Sequence, residues 1–315
     1  MKQRQAGFHV IGLVIILLVL SSIGLIGYKV LAGGREQTST QSSQGGQNTQ
    51  SRQAAQQSGW VYSQQKLAWE KLGAAAPTCK EPLVFDSSPV AMESVTAVGL
   101  PGSYRGYDYK AHGGFRLADS TNGQAEIRLP MDANFKGITR YYESVPGQAD
   151  ELQYLVDFEN ECGIAIRFDH LSVLAPAFQT LAEKSPAPKK NDTSNATQPA
   201  TKGQPFKAGE VIATAVGFAS TRNYGFDFGV YDYRSRNKIS ENKQWAAIHQ
   251  QFSATTFHGV CWLPMLPGED AAKAESIAKD RNNYDTRKAF NLTSDYCDFA
   301  PHRTLEFNGG KPTDG

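Results

Sequence analysis

Gly163-Ile164-Ala165-Ile166-Arg167-Phe168-Asp169 is the stretch on which the fold turns. Ile164, Ile166 and Phe168 fall on one side of an extended chain and Ala165, Arg167 and Asp169 on the other, the period of two that a strand imposes. Short alternating runs of the same kind, divided by Gly, Pro and Asn, lie on both sides of it. They predict strands over Ser94–Val98, Ala125–Leu129, Gly137–Tyr142, Gln153–Phe158, Gly163–Phe168, Glu210–Val216 and Gly225–Tyr231. The expected fold class is mainly β: a β-sheet or barrel-sandwich domain over residues 78–235. Ala271–Lys288 has helical composition, so residues 236–315 read as a small helical C-terminal extension of that domain, a separate second domain being the alternative. Before the domain, Trp60, Leu67, Trp69 and Leu72 stand among Gln, Lys and Glu and predict a short helix within residues 59–77. Residues 184–204, KSPAPKKNDTSNATQPATKGQ, are too polar for a core and too long for an ordinary connection, which predicts a disordered insertion.

The N-terminal end reads differently. Phe8 to Leu31 is an almost unbroken apolar run of about 36 Å as a helix, enough to cross a hydrocarbon core of about 30 Å with some tilt. Lys2 and Arg4 precede it and no acid does, so residues 1–7 are expected in the cytoplasm and everything after the span outside it. A signal peptide cleaved near Val30-Leu31-Ala32 is the competing reading, and it exports the domain equally. Residues 32–58, rich in Gln, Ser and Gly, lack the apolar surface to fold and predict a flexible linker. The expected location is the cell membrane, single-pass, with the domain extracytoplasmic.

Among 315 residues, 32 basic and 31 acidic side chains leave a net charge of +1, which gives no reason to expect nucleic acid as a partner. The four cysteines, Cys79, Cys162, Cys261 and Cys297, form no CxxC pair, so a zinc ribbon or a thioredoxin-type motif is not expected. In an exported domain they suggest two disulfides. Three pairings are possible. Cys79 with Cys162 and Cys261 with Cys297 are favoured, because each would tie one part of the domain; buried free thiols are the alternative. His258, three residues before Cys261, invites a Cys–His nucleophile, but disulfide use of Cys261 is the better reading in an exported chain.

Three segments carry what chemistry the sequence suggests. They are Tyr109-Lys110-Ala111-His112-Gly113-Gly114-Phe115-Arg116, then Ile166-Arg167-Phe168-Asp169-His170-Leu171-Ser172, then Lys207-Ala208-Gly209-Glu210 followed by Tyr224-Gly225-Phe226-Asp227-Phe228-Gly229-Val230. In order and spacing, over roughly residues 90–235, they resemble the lysostaphin/LytM-type zinc endopeptidases, which cut peptide cross-links in bacterial cell walls. That family shows an HxxxD motif, a strand ending in a His-Leu-Ser turn, a KAGQ-like turn and an HxH strand. The leader QAGFHVIGLVIILLVL also resembles that of type IV prepilins, with Gly7-Phe8 at the processing point but Gly12 where pilins carry Glu.

The zinc-enzyme resemblance implies a metal held by the His and Asp of HxxxD and the second His of HxH, with the remaining two His serving catalysis. The fourth zinc position would hold a water whose pKa falls toward about 7. Carried over by position, His112 takes the first ligand's place and His170 that of the catalytic His in the His-Leu-Ser turn. Asp227 replaces the second His of HxH. Two positions alter the site: Arg116 stands where the ligating Asp belongs, and Gly225 replaces the first His of HxH. A guanidinium has no lone pair and stays charged. About 4 Å from a dication, at an effective dielectric near 20, it would repel by about 8 kcal/mol. That is a large share of the roughly 10–16 kcal/mol of a structural zinc site. An Arg116–Asp227 ion pair is therefore expected in place of the metal, and zinc binding through His112 and Asp227 is the alternative.

Each residue also has a plain structural reading: His112 as a turn residue, His170 satisfying a carbonyl, Asp227 as a surface acid. Tyr224, Tyr231 and Tyr233 read either as liners of a sugar or peptide groove or as packing. The function expected is that of a pseudoenzyme in the cell envelope, membrane-anchored, whose partners are peptidoglycan or an envelope protein such as a hydrolase that it regulates. An active zinc-dependent peptidoglycan endopeptidase and a pilin-like structural surface protein are the alternatives.

Overall fold

The computed structural model describes residues 59–105, 108–144, 147–189, 203–279 and 293–300, with the short pairs Gln198–Pro199, Phe307–Asn308 and Lys311–Pro312. The expected span at 8–31 and the linker at 32–58 lie outside the described residues, and no helix among the described residues is long and apolar enough to cross a membrane. In chain order the strands are β1 (Gly59–Ser63), β2 (Ala68–Leu72), β3 (Val95–Gly99), β4 (Ser103–Arg105), β5 (Asp108–Lys110), β6 (Gly113–Leu117), β7 (Gln124–Arg128), β8 (Ala133–Glu143), β9 (Glu151–Glu159), β10 (Ile164–Leu174), β11 (Gln198–Pro199), β12 (Pro205–Phe206), β13 (Val211–Val216) and β14 (Gly225–Asp232). The helices used below are α1 (Pro176–Glu183), α2 (Lys243–His249) and α3 (Asp270–Lys279).

One ten-stranded sheet, entirely antiparallel, runs in the order β11-β8-β9-β10-β14-β6-β3, with β12 also on β8 and β13 joining β10 to β7. Strand β10 is its pivot. The first half, Ile164–Asp169, pairs with β14; the second, from Leu171, pairs with β13. Between the two halves the pairing with β9 slips, and His170 takes a left-handed φ of 61°. A bulge of this kind bends a strand and re-aims one side chain. The sequence reading ended this strand at a turn; it instead continues through His170-Leu171-Ser172 to Leu174.

The alternation that predicted the strands also builds the core. Ile164, Ile166 and Phe168 are fully buried, as are Phe226, Phe228 and Val230 of β14. Their rings meet Phe115 and Trp262, with centroids 4.9 Å apart for Phe115–Trp262 and 5.0 Å for Phe228–Trp262. A second aromatic group, Phe135, Phe158, Phe178 and Phe206, fills the space under α1. The bridges join Cys79 to Cys162 and Cys261 to Cys297, the favoured pairing, and Cys261 is thereby withdrawn from any nucleophile role. His258 Nδ1 bonds the Asp232 and Ser235 carbonyls instead.

Two expectations need correction. Residues 59–72 form a β-hairpin, not a helix: Tyr62 lies opposite Trp69, and the chain reverses at Leu67 with φ 51°. Trp69 stacks on Tyr233 at 3.7 Å, its Nε1 donates to the Ala254 carbonyl, and Tyr62 donates to Ser253 Oγ. Tyr224, Tyr231 and Tyr233 are buried, the last against this hairpin, which decides for packing over groove lining. Within the expected disordered insertion, residues 190–197 and 200–202 lie outside the described residues, but Gln198–Pro199 pairs with Gly137–Ile138 at the edge of the sheet. Pro suits such an edge, where no ladder donor is required of it.

Past residue 235, α2 and the 293–300 segment build an aromatic cage. His249 lies 4.1 Å from Tyr109 and 4.3 Å from Trp245, and Asp295 accepts from Tyr109 and Trp245. Burial presses the His249 imidazole from an ordinary 6.5 to about 4. Between those values the unfolded chain takes up a proton that the folded chain refuses, so stability falls as pH drops from about 6.5 to about 4. His112 and His258, also pressed down by burial, act in the same direction. Urea midpoints followed across this window are expected to decline on acidification, and less steeply in His249→Gln.

Candidate functional site

The register of three strands brings the sequence-predicted residues to one place. Asp169 and Asp227 lie opposite each other on β10 and β14, and Asp227 lies opposite Gly114 on β6. His112 immediately precedes β6, and the bulge turns His170 to the same spot. His112 Nε2 is 2.9 Å from Asp227 Oδ2, and His170 Nε2 is 3.6 Å from that same oxygen. Glycines make the room. A Cβ on Gly114 would lie 3.3 Å from Asp227 Oδ1, and one on Gly229 would lie 3.0 Å from His112 Cβ.

Arg116 is not part of this cluster. Its place on β6 is opposite Gly225, two residues beyond the partner of Asp227. From there its guanidinium turns to Asp119 Oδ1 at 2.9 Å, Asn223 Oδ1 at 2.8 Å and the Arg222 carbonyl at 3.0 Å. The expected Arg116–Asp227 pair is thus replaced by another. Arg105, at the end of β4, places Nη1 2.7 Å from Asp227 Oδ1, and its Nη2 reaches the His112 carbonyl at 3.5 Å. Gly225, expected to alter the site by the side chain it lacks, faces the Arg116 strand with a Cβ position only 3.0 Å from the Phe115 carbonyl, so a larger residue would crowd β6.

Two further residues complete the arrangement. Tyr141 of β8 donates its hydroxyl hydrogen to Asp169 Oδ1 at 2.6 Å and lies 3.1 Å from His170 Nδ1. Since that hydrogen is committed, the contact is satisfied by His170 Nδ1–H donating to the phenol oxygen. The other ring nitrogen, Nε2, is the atom that faces Asp227. Asp169 Oδ1 also accepts the His170 backbone N–H at 2.8 Å, which holds the left-handed bulge. Burial, with the Asp169 carboxylate beside it, raises the Tyr141 phenol far above its ordinary value, so it remains a donor.

The electrostatics centre on Asp227. Burial alone would raise its pKa, but Arg105 and then His112 oppose it and hold the carboxyl well below the ordinary 3.8. Burial presses His112 below 6.5, with Asp227 offsetting this in part. His112 Nε2 lies 2.9 Å from Oδ2, the pairing through which the carboxylate acts on the ring. The group is an ionised carboxylate, a guanidinium locked on one oxygen, and two imidazole nitrogens aimed at the other.

No protein-family description matches the chain, and no curated protein does. Among solved structures the chain is similar to a variant catalytic domain of the prophage-encoded M23 protein EnpA from Enterococcus faecalis, at 13% identity and a TM-score of 0.24, covering 51% of this chain and 88% of that one.

The donor set does not suit a catalytic zinc. Among the described residues, no group of three or more His, Cys, Asp or Glu is arranged to hold a metal. Arg116, expected in an acidic ligand's place, is paired with Asp119, and Asp227 already neutralises Arg105. A dication on Oδ2 would lie about 4–5 Å from that guanidinium, and the repulsion of about 8 kcal/mol expected of Arg116 applies to Arg105 instead.

Arg105, Tyr141 and Asp169 were not singled out as site residues in the sequence. Asp169 had a signal, since alternation puts it on the outward face of β10, in the strand that carries His170. Arg105 had none: it precedes His112 by a hairpin, and only the folding of that hairpin onto the sheet brings it to Asp227.

Proposed function

We propose that this chain is a membrane-anchored, extracytoplasmic protein of the cell envelope whose LytM-like domain has lost hydrolysis and binds peptidoglycan. The observation that carries the loss of hydrolysis is the Arg105–Asp227 pair, a permanent cation held 2.7 Å from the carboxylate that a metal would need. The order of the three motif segments supports the fold relationship, and the apolar run at 8–31 supports the anchor.

The test uses the full chain in detergent, incubated with purified peptidoglycan sacculi. It is expected to co-sediment with them, release no soluble muropeptides and carry no stoichiometric zinc. Muropeptide release together with stoichiometric zinc that disappears in His112→Ala would establish the active endopeptidase instead. Failure to co-sediment would remove peptidoglycan as the ligand and turn attention to an envelope protein.

A further inference from the structure

We propose that the hollow between the tip of the β1–β2 hairpin and α2 binds the free C-terminal carboxylate of a short peptide with small apolar side chains, and that Arg236 holds that carboxylate. The hollow shares no residue with the His112–Asp227 cluster, and the inference stands independently of the peptidoglycan reading above.

The hollow measures about 570 Å³, and Leu67, Ala246, Ala247 and Phe257 are its apolar lining. Small-ligand pockets run from about 300 to 1,000 Å³. Arg236 is the charged group the local structure fixes most firmly there. Its Nε donates to Ser240 Oγ at 3.2 Å and its Nη2 to the Ser240 carbonyl at 2.7 Å. Ser240 is itself buried, and its hydroxyl donates to the Asn237 carbonyl at 2.6 Å. The Asn237 amide in turn donates to the Thr256 and Gly259 carbonyls, at 2.8 and 3.0 Å. The guanidinium also lies over the Phe257 ring, 4.5 Å from its centroid, which sets the plane of the fork.

Arg105, Arg116, Arg128, Arg167 and Arg234 each pair with a carboxylate, whereas Arg236 pairs with none among the described residues. A guanidinium has five N–H donors, and the two bonds to Ser240 leave the Nη1–Nη2 edge for a ligand. That edge matches the two oxygens of a carboxylate, and a guanidinium already held in place loses little freedom on binding one. The surroundings narrow the choice further. Arg236 and Lys243 against Glu241 leave the lining a single excess positive charge, which suits one carboxylate rather than a polyphosphate. Phe257 is fully buried, so no open aromatic face is presented to a sugar. Ala246 and Ala247 leave room only for small side chains beside them, and the Gln250 amide can both donate to and accept from a peptide unit.

The experiment titrates the full chain in detergent with acetyl-Gly-Ala-Ala by calorimetry, beside the same peptide as its C-terminal amide and beside acetyl-Lys-D-Ala-D-Ala. At least one free acid is expected to bind, and the amide at least about tenfold more weakly, the loss of one charge-assisted pair. A preference for the D,D peptide would assign the site to wall peptides and a preference for the L,L peptide to a protein C-terminus. Arg236→Gln should bring the acid down to the amide's level, and Arg236→Lys should fall between, since it keeps the charge without the fork. Should Arg236→Gln fail to melt cooperatively, Ala247→Leu, an exchange at an exposed helix position that fills the hollow, decides by abolishing binding. Acid and amide binding equally, or no peptide binding at all, would overturn this inference. A chain that binds no peptide yet co-sediments with sacculi would lose this site and keep the peptidoglycan reading.

Discussion

Replacing Asp227 with Ala is expected to destabilise the domain by about 3 kcal/mol, read as a fall in the urea midpoint at neutral pH. Breaking a buried ion pair by removing one partner typically costs about 3–5 kcal/mol, because the other charge is left without compensation. The lower end applies here, since the Arg105 side chain keeps 20% exposure and can turn partly toward water. Asp227→Asn restores the volume and one acceptor without the charge, so its loss should be smaller. The pH dependence gives an independent check. The folded pKa of Asp227 lies well below its ordinary 3.8. Its stabilisation is therefore complete above that ordinary value and is lost as pH falls through the depressed one. Both variants should show a flatter stability profile than the unaltered chain in this acid range, while keeping the decline between about pH 6.5 and 4 that the buried histidines cause. An unchanged midpoint in Asp227→Ala would mean that Arg105 and the imidazoles are not organised by this carboxylate.

Much of the fold could be read from the strands because burial there has a single period. Ile164, Ile166 and Phe168 on β10, and Phe226, Phe228 and Val230 on β14, alternate with residues of the opposite face, and the structure buries them as the pattern requires. Reading failed where both faces of an element carry apolar residues. In the N-terminal hairpin, Trp60 and Trp69 pack on the domain, yet Val61 is half exposed, and the reversal at Leu67 contains no Gly, Pro or Asn to mark it. The spacing of Trp60, Leu67, Trp69 and Leu72 therefore imitated a helix. At the site, position in a motif was enough to place His112, His170 and Asp227 together, but not to identify the cation among them. Arg116 has the right separation from His112 in sequence. The antiparallel register, however, sets it opposite Gly225, two residues beyond Gly114, the residue that faces Asp227. A role determined by register and by a separate hairpin has no local pattern to betray it.

Trp262→Ala should cost about 3–5 kcal/mol, the usual range for truncating a buried aromatic whose neighbours cannot collapse into the space. Trp262 is fully buried, and its ring contacts Phe115 of β6 and Phe228 of β14, the strands that carry Gly114 and Asp227. Gly113 shows how closely it fits: a Cβ there would come within 2.8 Å of the Trp262 ring. The residue before it, Cys261, is bridged to Cys297, so the chain on this side cannot retreat far to relieve or fill a cavity. Trp262→Phe distinguishes packing from the indole N–H. That N–H is buried without a partner, a condition that costs about 1–3 kcal/mol in its own right. Phe removes the orphaned donor while keeping a ring against Phe115 and Phe228, so its net loss should be under about 1.5 kcal/mol, within the range of tolerated apolar exchanges. A Phe variant as damaged as the Ala variant would show that the N–H has a partner after all. Because Trp262 supports β6 and β14 from behind, the Ala variant should also loosen His112 and Asp227 on the other face, and nuclear magnetic resonance of the histidine rings would detect this as broadening of His112 while His249, in its own cage, stays sharp.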